Sequence, residues 1–175
     1  MLVSELKKSI REVPDFPKPG ISFKDVTTLF RDAAAFRSAM DRMTERFSGD
    51  KIDAVAGIDA RGFVLAGVLA DRLNTGLILV RKEGKLPAAV EGESYELEYG
   101  TARMEMHADA VEPGQRIIIV DDLLATGGTA AAAATLFDRL GARVEGFGFL
   151  VELDFLKGRD KLPPDRVFSL IHYED

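Results

Sequence analysis

Apolar and polar positions along this chain follow two different periods, and the change from one to the other divides it into elements. Leu6, Ile10 and Val13 recur at helical spacing behind Ser4, a residue suited to an N-cap, and Pro14 ends that run. Asp15–Lys24 contains Pro17, Pro19 and Gly20, which predicts a rigid irregular loop. Asp32 can cap a helix running through Phe47, with Phe36, Met40, Met43 and Phe47 on one stripe and Gly49-Asp50 closing it. Beyond this point short, nearly continuous apolar runs take over: Ile52–Ile58, Leu77–Val80, Arg116–Val120, Val144–Leu153 and Val167–Ile171. Such runs predict strands buried on both faces. Gly62–Leu73 and the Ala-rich stretch Ala130–Leu140 read as helices, with Asn74-Thr75-Gly76 and Pro113-Gly114 as turns and Gly141 in a C-terminal capping position. Strands alternating with helices predict an α/β fold around a central, mostly parallel five-stranded sheet flanked by helices.

Glu91–His107 breaks that rhythm. Tyr95, Leu97 and Tyr99 alternate with Glu96 and Glu98; after Gly100, Ala102, Met104 and Met106 alternate with Arg103 and Glu105. The pattern predicts a two-stranded excursion outside the parallel sheet, mobile and placed to cover a site.

A length of 175 residues predicts a single domain, 1–175. The net charge of −6 argues against general nucleic-acid binding, though local geometry can still hold an anion. There is no cysteine, so neither a disulfide framework nor a thiolate metal site is possible; His107 and His172 are too few for a histidine metal motif. The first residues lack the apolar region of a signal peptide, and no apolar run has the length of a membrane span. The expectation is a cytoplasmic protein that binds no membrane.

Ligands of open parallel sheets sit beyond the C-terminal ends of the strands. Three polar, glycine-bearing junctions fall there: Asp59–Gly62, Arg81–Pro87 and Asp121–Thr129. The last is the most informative. It runs strand, acidic pair, small-residue loop, helix, in the residues Val120-Asp121-Asp122-Leu123-Leu124-Ala125-Thr126-Gly127-Gly128-Thr129. A loop of small residues at a helix N-terminus aims backbone N–H groups at one point, which suits a phosphate. Two carboxylates upstream suit ribose hydroxyls or a metal ion on the same ligand. A tight turn needs only Gly127-Gly128, and a helix cap needs only one of the acids.

This loop resembles the phosphoribosyl-diphosphate (PRPP) binding motif of the type I phosphoribosyltransferases. Further matches run in order along nearly the whole chain: Phe16-Pro17-Lys18-Pro19-Gly20-Ile21-Ser22-Phe23-Lys24-Asp25, Gly57-Ile58-Asp59-Ala60-Arg61-Gly62-Phe63, Arg81–Pro87, Tyr95–Gly100, and Val151-Glu152-Leu153 with Leu156-Lys157-Gly158-Arg159. The N-terminal and Leu97-Glu98-Tyr99-Gly100 segments resemble the family's adenine-using members. Asp59 stands where Glu is more frequent and Thr28 where Pro is common.

The resemblance implies the type I phosphoribosyltransferase fold, with residues 1–31 as a small base-binding hood and 91–107 as a flexible catalytic flap. It implies transfer of the phosphoribosyl group of PRPP to adenine, giving AMP and pyrophosphate, with Mg²⁺ held by PRPP and water rather than by direct protein ligands. Ala125, Thr126, Gly127, Gly128 and Thr129 would cradle the 5′-phosphate, and Asp121 and Asp122 would hold the ribose hydroxyls. Asp59, Ala60, Arg61, Arg81, Lys82 and Lys85 would face pyrophosphate, the 81–87 loop reaching across a homodimer to the neighbouring site. Ser22, Phe23, Lys24 and Leu156 would hold adenine, and Glu98, with Tyr99, would act on the purine N7. From alternation alone Glu98 is an exposed strand residue, and Phe23 and Leu156 read as core. Two alternatives stay open: transfer to another base (xanthine or orotate; Ala125 disfavours hypoxanthine and guanine), or a non-catalytic PRPP-sensing module.

Overall fold

The computed structural model of the chain describes residues 1–97 and 100–174. Nine strands and five α-helices follow one another among the described residues: α1 (Val3–Lys8), β1 (Arg11–Val13), β2 (Phe23–Asp25), α2 (Thr27–Arg31), α3 (Ala33–Phe47), β3 (Ala54–Ile58), α4 (Gly62–Leu73), β4 (Gly76–Lys82), β5 (Val90–Glu96), β6 (Thr101–His107), β7 (Arg116–Leu124), α5 (Gly128–Arg139), β8 (Arg143–Leu153) and β9 (Val167–Tyr173). Three short 3-10 turns, Asp154–Leu156, Gly158–Lys161 and Pro164–Arg166, lie between β8 and β9.

The main sheet has the order β5-β6-β4-β3-β7-β8-β9. Its five central and C-terminal strands, β4-β3-β7-β8-β9, are all parallel. The expected five-stranded parallel sheet is therefore present, and the 91–107 excursion is an antiparallel hairpin fused to its edge through Arg81↔Glu105 and Lys82↔Met104. That pairing carries β4 two residues past its apolar run, so Arg81 and Lys82 belong to a strand and not to a basic loop. The order of connection reverses at β3, between β4 and β7. Ligands of open α/β sheets sit at such a reversal.

Side chains alternate across the sheet, and both faces are covered. Val55, Ile118 and Val120 point toward α3 and α4, among Met40, Met43, Phe47, Leu65 and Leu69. Ala56, Ile58, Ile117 and Ile119 point toward α5 and the base of the β5–β6 hairpin, among Ala133, Leu136, Phe137, Met104 and Met106. This explains apolar runs with no polar face. Asp32 caps α3, accepting from the N–H groups of Ala34 and Ala35 at 2.9 and 3.0 Å. Gly148 has a packing role: a Cβ there would lie 2.9 Å from the ring of Phe47, so the glycine lets α3 lie close on β8.

The N-terminus departs from expectation. Ser4 sits inside α1 rather than capping it; the Glu5 carboxylate accepts the Leu2 N–H at 2.6 Å and does the capping. The helix stops at Lys8, and Val13 pairs with Phe23 in a two-stranded antiparallel sheet, β1–β2. Part of the expected Asp15–Lys24 loop is thus strand, held by the Arg11–Asp25 ion pair and by Lys24, whose Nζ lies 3.0 Å from Glu12.

Candidate functional site

The three glycine-bearing junctions converge at the C-terminal edge of β3, β4 and β7. They enclose a cavity of about 370 Å³ lined by Ile58, Asp59, Ala60, Arg61, Lys82, Lys85, Tyr95, Met104, Asp121, Asp122, Leu123 and Thr129. A smaller cavity of about 70 Å³ beside it is walled by Asp121 and Leu123–Ala130, with Phe149. One ligand with several charged groups would span both.

Asp121 and Asp122 lie within β7 rather than after it, because β8 continues to pair with β7 through Leu123 and Leu124. Asp122 is buried, and its backbone N–H donates to Oδ1 of Asp121 at 2.8 Å. Desolvation, and then the neighbouring Asp122 carboxylate, raise the pKa of Asp121 well above the usual carboxylate range. Gly62 opens α4 against this pair; a Cβ there would fall 2.9 Å from both Oδ1 of Asp121 and the Val120 carbonyl.

Arg61 supplies the opposing charge. Its Nε–H donates to the Asp122 carboxylate, and its guanidinium lies 5.8 Å from the centre of the Phe23 ring. Burial disfavours this cation, but the Asp122 hydrogen bond and the charges of Asp122 and Asp121 outweigh that and raise its pKa. Phe23 also meets Phe16 edge-on at 5.2 Å. The base-binding expectations, Ser22, Phe23, Lys24 and Leu156, lie outside the wall of the 370 Å³ cavity, and Phe23 is joined to it through Arg61. The Lys24 side chain is turned away, held by Glu12 and lying 4.4 Å from the Tyr173 ring centre, which leaves only its backbone for a ligand. Leu156 is exposed in the turn after β8.

On the far wall Asp59 gathers the cations. Its carboxylate lies 3.4 Å from Nε of Arg81 and 3.7 Å from Nζ of Lys85, and accepts the Lys82 N–H at 3.4 Å. Lys82 and Lys85 face the cavity, whereas Arg81 is outside its wall, lying over Phe63 at 5.8 Å and donating to the Lys85 carbonyl. The Asp59 carboxylate therefore holds these basic groups together at the cavity wall.

The loop Ala125–Thr129 closes onto α5. Gly127 holds φ +81°, and a Cβ there would collide with the Gly158 carbonyl at 2.3 Å. The reverse also holds: a Cβ on Gly158 would lie 2.2 Å from the Ala125 carbonyl. The Lys157–Gly158 turn is thus strapped across the loop. Arg159 braces it, bonding Glu152 at 3.1 and 2.6 Å and the Val167 carbonyl at 2.9 Å. The motif pattern placed Leu156–Arg159 in the family frame without showing this crossing. Tyr95, unassigned from sequence, also belongs to the wall; its hydroxyl lies 3.2 Å from that of Thr129. Glu98 and Tyr99 lie outside the described residues.

This combination, a parallel sheet with an acidic pair and a glycine loop at its reversal, suits a ligand that carries both phosphate and hydroxyl groups. The phosphoribosyl transferase domain family matches residues 26–173, and the chain belongs to that family. It is 52% identical over 171 residues to an adenine phosphoribosyltransferase of Geotalea uraniireducens, covering 98% of this chain and 100% of that one. It is 54% identical over 170 residues to one of Acidobacterium capsulatum, covering 97% and 94%. The crystal structure of adenine phosphoribosyltransferase from Thermoanaerobacter pseudethanolicus superposes with a TM-score of 0.95 at 50% identity, over 98% and 100% of the two chains. The Saccharomyces cerevisiae enzyme, crystallised with an imino-altritol bisphosphate and adenine, gives 0.90 at 42% identity, over 97% and 98%.

Proposed function

We propose that this chain transfers the 5-phosphoribosyl group of PRPP to adenine, releasing pyrophosphate and forming AMP, as a purine-salvage enzyme. The observation that carries this reading is the meeting in one cavity of the Asp121–Asp122 pair, Thr129 of the glycine loop, and the cations Arg61, Lys82 and Lys85. Named relatives at about half identity over the full chain support adenine as the base.

In this reading the 5′-phosphate takes the backbone N–H groups of Ala125–Thr129 at the start of α5. Asp121 and Asp122 hold the ribose hydroxyls and place negative charge under a ring that becomes oxocarbenium-like, which favours the transition state over the ground state. Asp59, Ala60 and Arg61, largely through backbone donors, face the departing pyrophosphate together with Arg81, Lys82 and Lys85 of the 81–87 loop. Adenine stacks on Phe23, presented by the Pro- and Gly-stiffened N-terminal segment, with Leu156 opposite and the backbone at Ser22 and Lys24 reading its edge. Glu98, with Tyr99, manages the purine N7 proton. The flap excludes water from the reacting carbon.

The donor set fits Mg²⁺ as a partner of the substrate. Asp122 is engaged by Arg61 and Asp121 is desolvated, so these carboxylates suit contact through ribose hydroxyls or water rather than a complete protein cage. Bound there, the ion would neutralise charge on the leaving group.

A homodimer is part of the same proposal, with the 81–87 loop serving the neighbouring site. Val64 on α4 and Leu77 and Leu79 on β4 are 40–46% exposed, apolar surface that a second copy would cover. Lys82 and Lys85 line the cavity of their own chain in the structure; a fully active monomer would overturn the cross-subunit role and leave both cations serving their own site. No helix among the described residues is long and apolar enough to cross a membrane, and a cytoplasmic location is proposed with the reaction.

The test is pyrophosphate release from PRPP and Mg²⁺ with adenine, hypoxanthine, guanine, xanthine or orotate in parallel. Release with adenine alone is expected. Release with another base would overturn the reading of Phe23 and Glu98, and silence with PRPP still bound would favour a sensing module.

A further inference from the structure

We propose that Tyr95 is a positioning residue that couples the flap to phosphate binding by orienting the hydroxyl of Thr129; the inference rests on the phosphate-cradle reading above. Tyr95 reaches this place because β5 runs along α5. The Arg139 guanidinium, near the C-terminal end of α5, donates to the Gly92 carbonyl at 3.0 Å and pairs with the Glu93 carboxylate. Further along β5, toward the N-terminal end of α5, the Tyr95 ring lies over Gly128, where a Cβ would be 3.4 Å from Cδ2. Its hydroxyl lies 3.2 Å from that of Thr129. The hairpin is therefore fastened to the body at two points, and Tyr95 is the later one, two residues before Leu97, whose N–H donates to the Gly100 carbonyl at 2.9 Å.

A hydroxyl has one proton to give and two lone pairs. At 3.2 Å either of the two hydroxyls, Thr129 or Tyr95, can give its proton to the other. A phosphate dianion only accepts, so a bound 5′-phosphate requires the Thr129 proton. Tyr95 then donates its own proton to Thr129, making a chain from Tyr95 through Thr129 to phosphate. Each bond in such a chain strengthens the next. The phosphate thereby tightens the point at which the flap is fastened, and loss of the Tyr95 hydroxyl weakens ligands that carry the phosphate while sparing those that lack it.

The experiment measures binding by calorimetry, with AMP, adenosine and PRPP–Mg²⁺, to wild type, Tyr95→Phe, Thr129→Ser, Thr129→Val and the Tyr95→Phe/Thr129→Val double variant. Tyr95→Phe is expected to raise the Kd of AMP and PRPP about three- to tenfold, the scale of one hydrogen bond, and to leave adenosine unchanged. Thr129→Ser is expected to stay near wild type, and Tyr95→Phe to add less than about twofold in the Thr129→Val background, since the two act as one unit. Equal affinity of wild type and Tyr95→Phe for AMP would overturn the inference, as would an equal loss for adenosine or full additivity with Thr129→Val. Failure of wild type to bind PRPP or AMP would instead overturn the proposed function, and this inference with it.

Discussion

Arg61 and Asp122, 61 residues apart in sequence, meet through a hydrogen bond from the arginine Nε that places a cation between an acidic pair and the face of Phe23. An arginine at the start of α4 is at the unfavourable end of the helix dipole. The carboxylates of Asp121 and Asp122 compensate for it, and a bound pyrophosphate would do so again. Arg61→Ala is expected to lower kcat/KM by roughly 10²-fold, the scale of losing one charge-stabilising group. Steady-state kinetics in PRPP check this; an unchanged kcat/KM would leave Arg61 a purely structural partner of Asp122.

Asp121 sets activity against stability. Its folded-state pKa is raised, so ionising it costs the fold stability at every pH above the ordinary carboxylate value. Asp121→Asn keeps the Oδ1 that accepts the Asp122 N–H and removes the charge. At pH 7 the variant is expected to melt higher than wild type while losing ~10²-fold or more in kcat/KM. The gain in Tm should vanish below the ordinary carboxylate pKa, where wild-type Asp121 is neutral too. A lower Tm at neutral pH would sink the argument.

Two ion pairs carry the opposite sign. The Thr27 hydroxyl first, and the Arg11 guanidinium next, hold Asp25 down to about 2, and Arg116 holds Asp53 at about 2, both from an ordinary 3.8. Their contribution is full above 3.8 and is lost as pH falls through about 2. Asp25→Asn is expected to be less stable than wild type in urea at pH 7, with the gap closing steadily below pH 4. A gap that persisted undiminished at pH 2 would show that the lost contact was not electrostatic.

Glu98→Gln is expected to lower kcat by roughly 10²-fold or more, the usual scale for a general acid or base, with PRPP affinity spared. Wild-type turnover in that variant would remove Glu98 from the chemistry.

Gly127→Ala meets both a positive φ and a backbone carbonyl at 2.3 Å, neither of which can yield cheaply. A lowered Tm together with weakened PRPP binding is expected, because the same loop is the proposed phosphate cradle. Calorimetry and thermal melting on one preparation separate the two effects.

What sequence patterning could reveal depended on how local the cause was. The helix Gly62–Leu73 was legible to the residue, since its apolar stripe and its Asn74 cap in the left-handed region are local. The cap of Asp32 was equally plain. The extension of β4 through Arg81 and Lys82 was not, because the strand that pairs with those residues comes more than twenty positions later. The early end of α1 at Lys8 was hidden for the same reason: Val13 keeps helical spacing, yet Phe23 draws it into a sheet. At the site, the acidic pair and glycine loop were readable as motifs. The turning of Arg81 toward Phe63, the strap of Gly158 over Gly127 and the contact of Tyr95 with Thr129 were not, since each joins separate segments.

The flap hairpin is paired without a break from Val90↔His107 to Glu96↔Thr101. Side chains alternate faces with each residue, so a single deletion within β5 would turn every later side chain of that strand to the opposite face. The phenol now over Gly128 would point into solvent, and a glutamate or serine would take its place. Length variation here is therefore quantised: changes of two residues preserve which side chains look inward, and changes of one do not. Among natural variants of this flap, insertions and deletions should be even in number within the strands and unrestricted only in the turn.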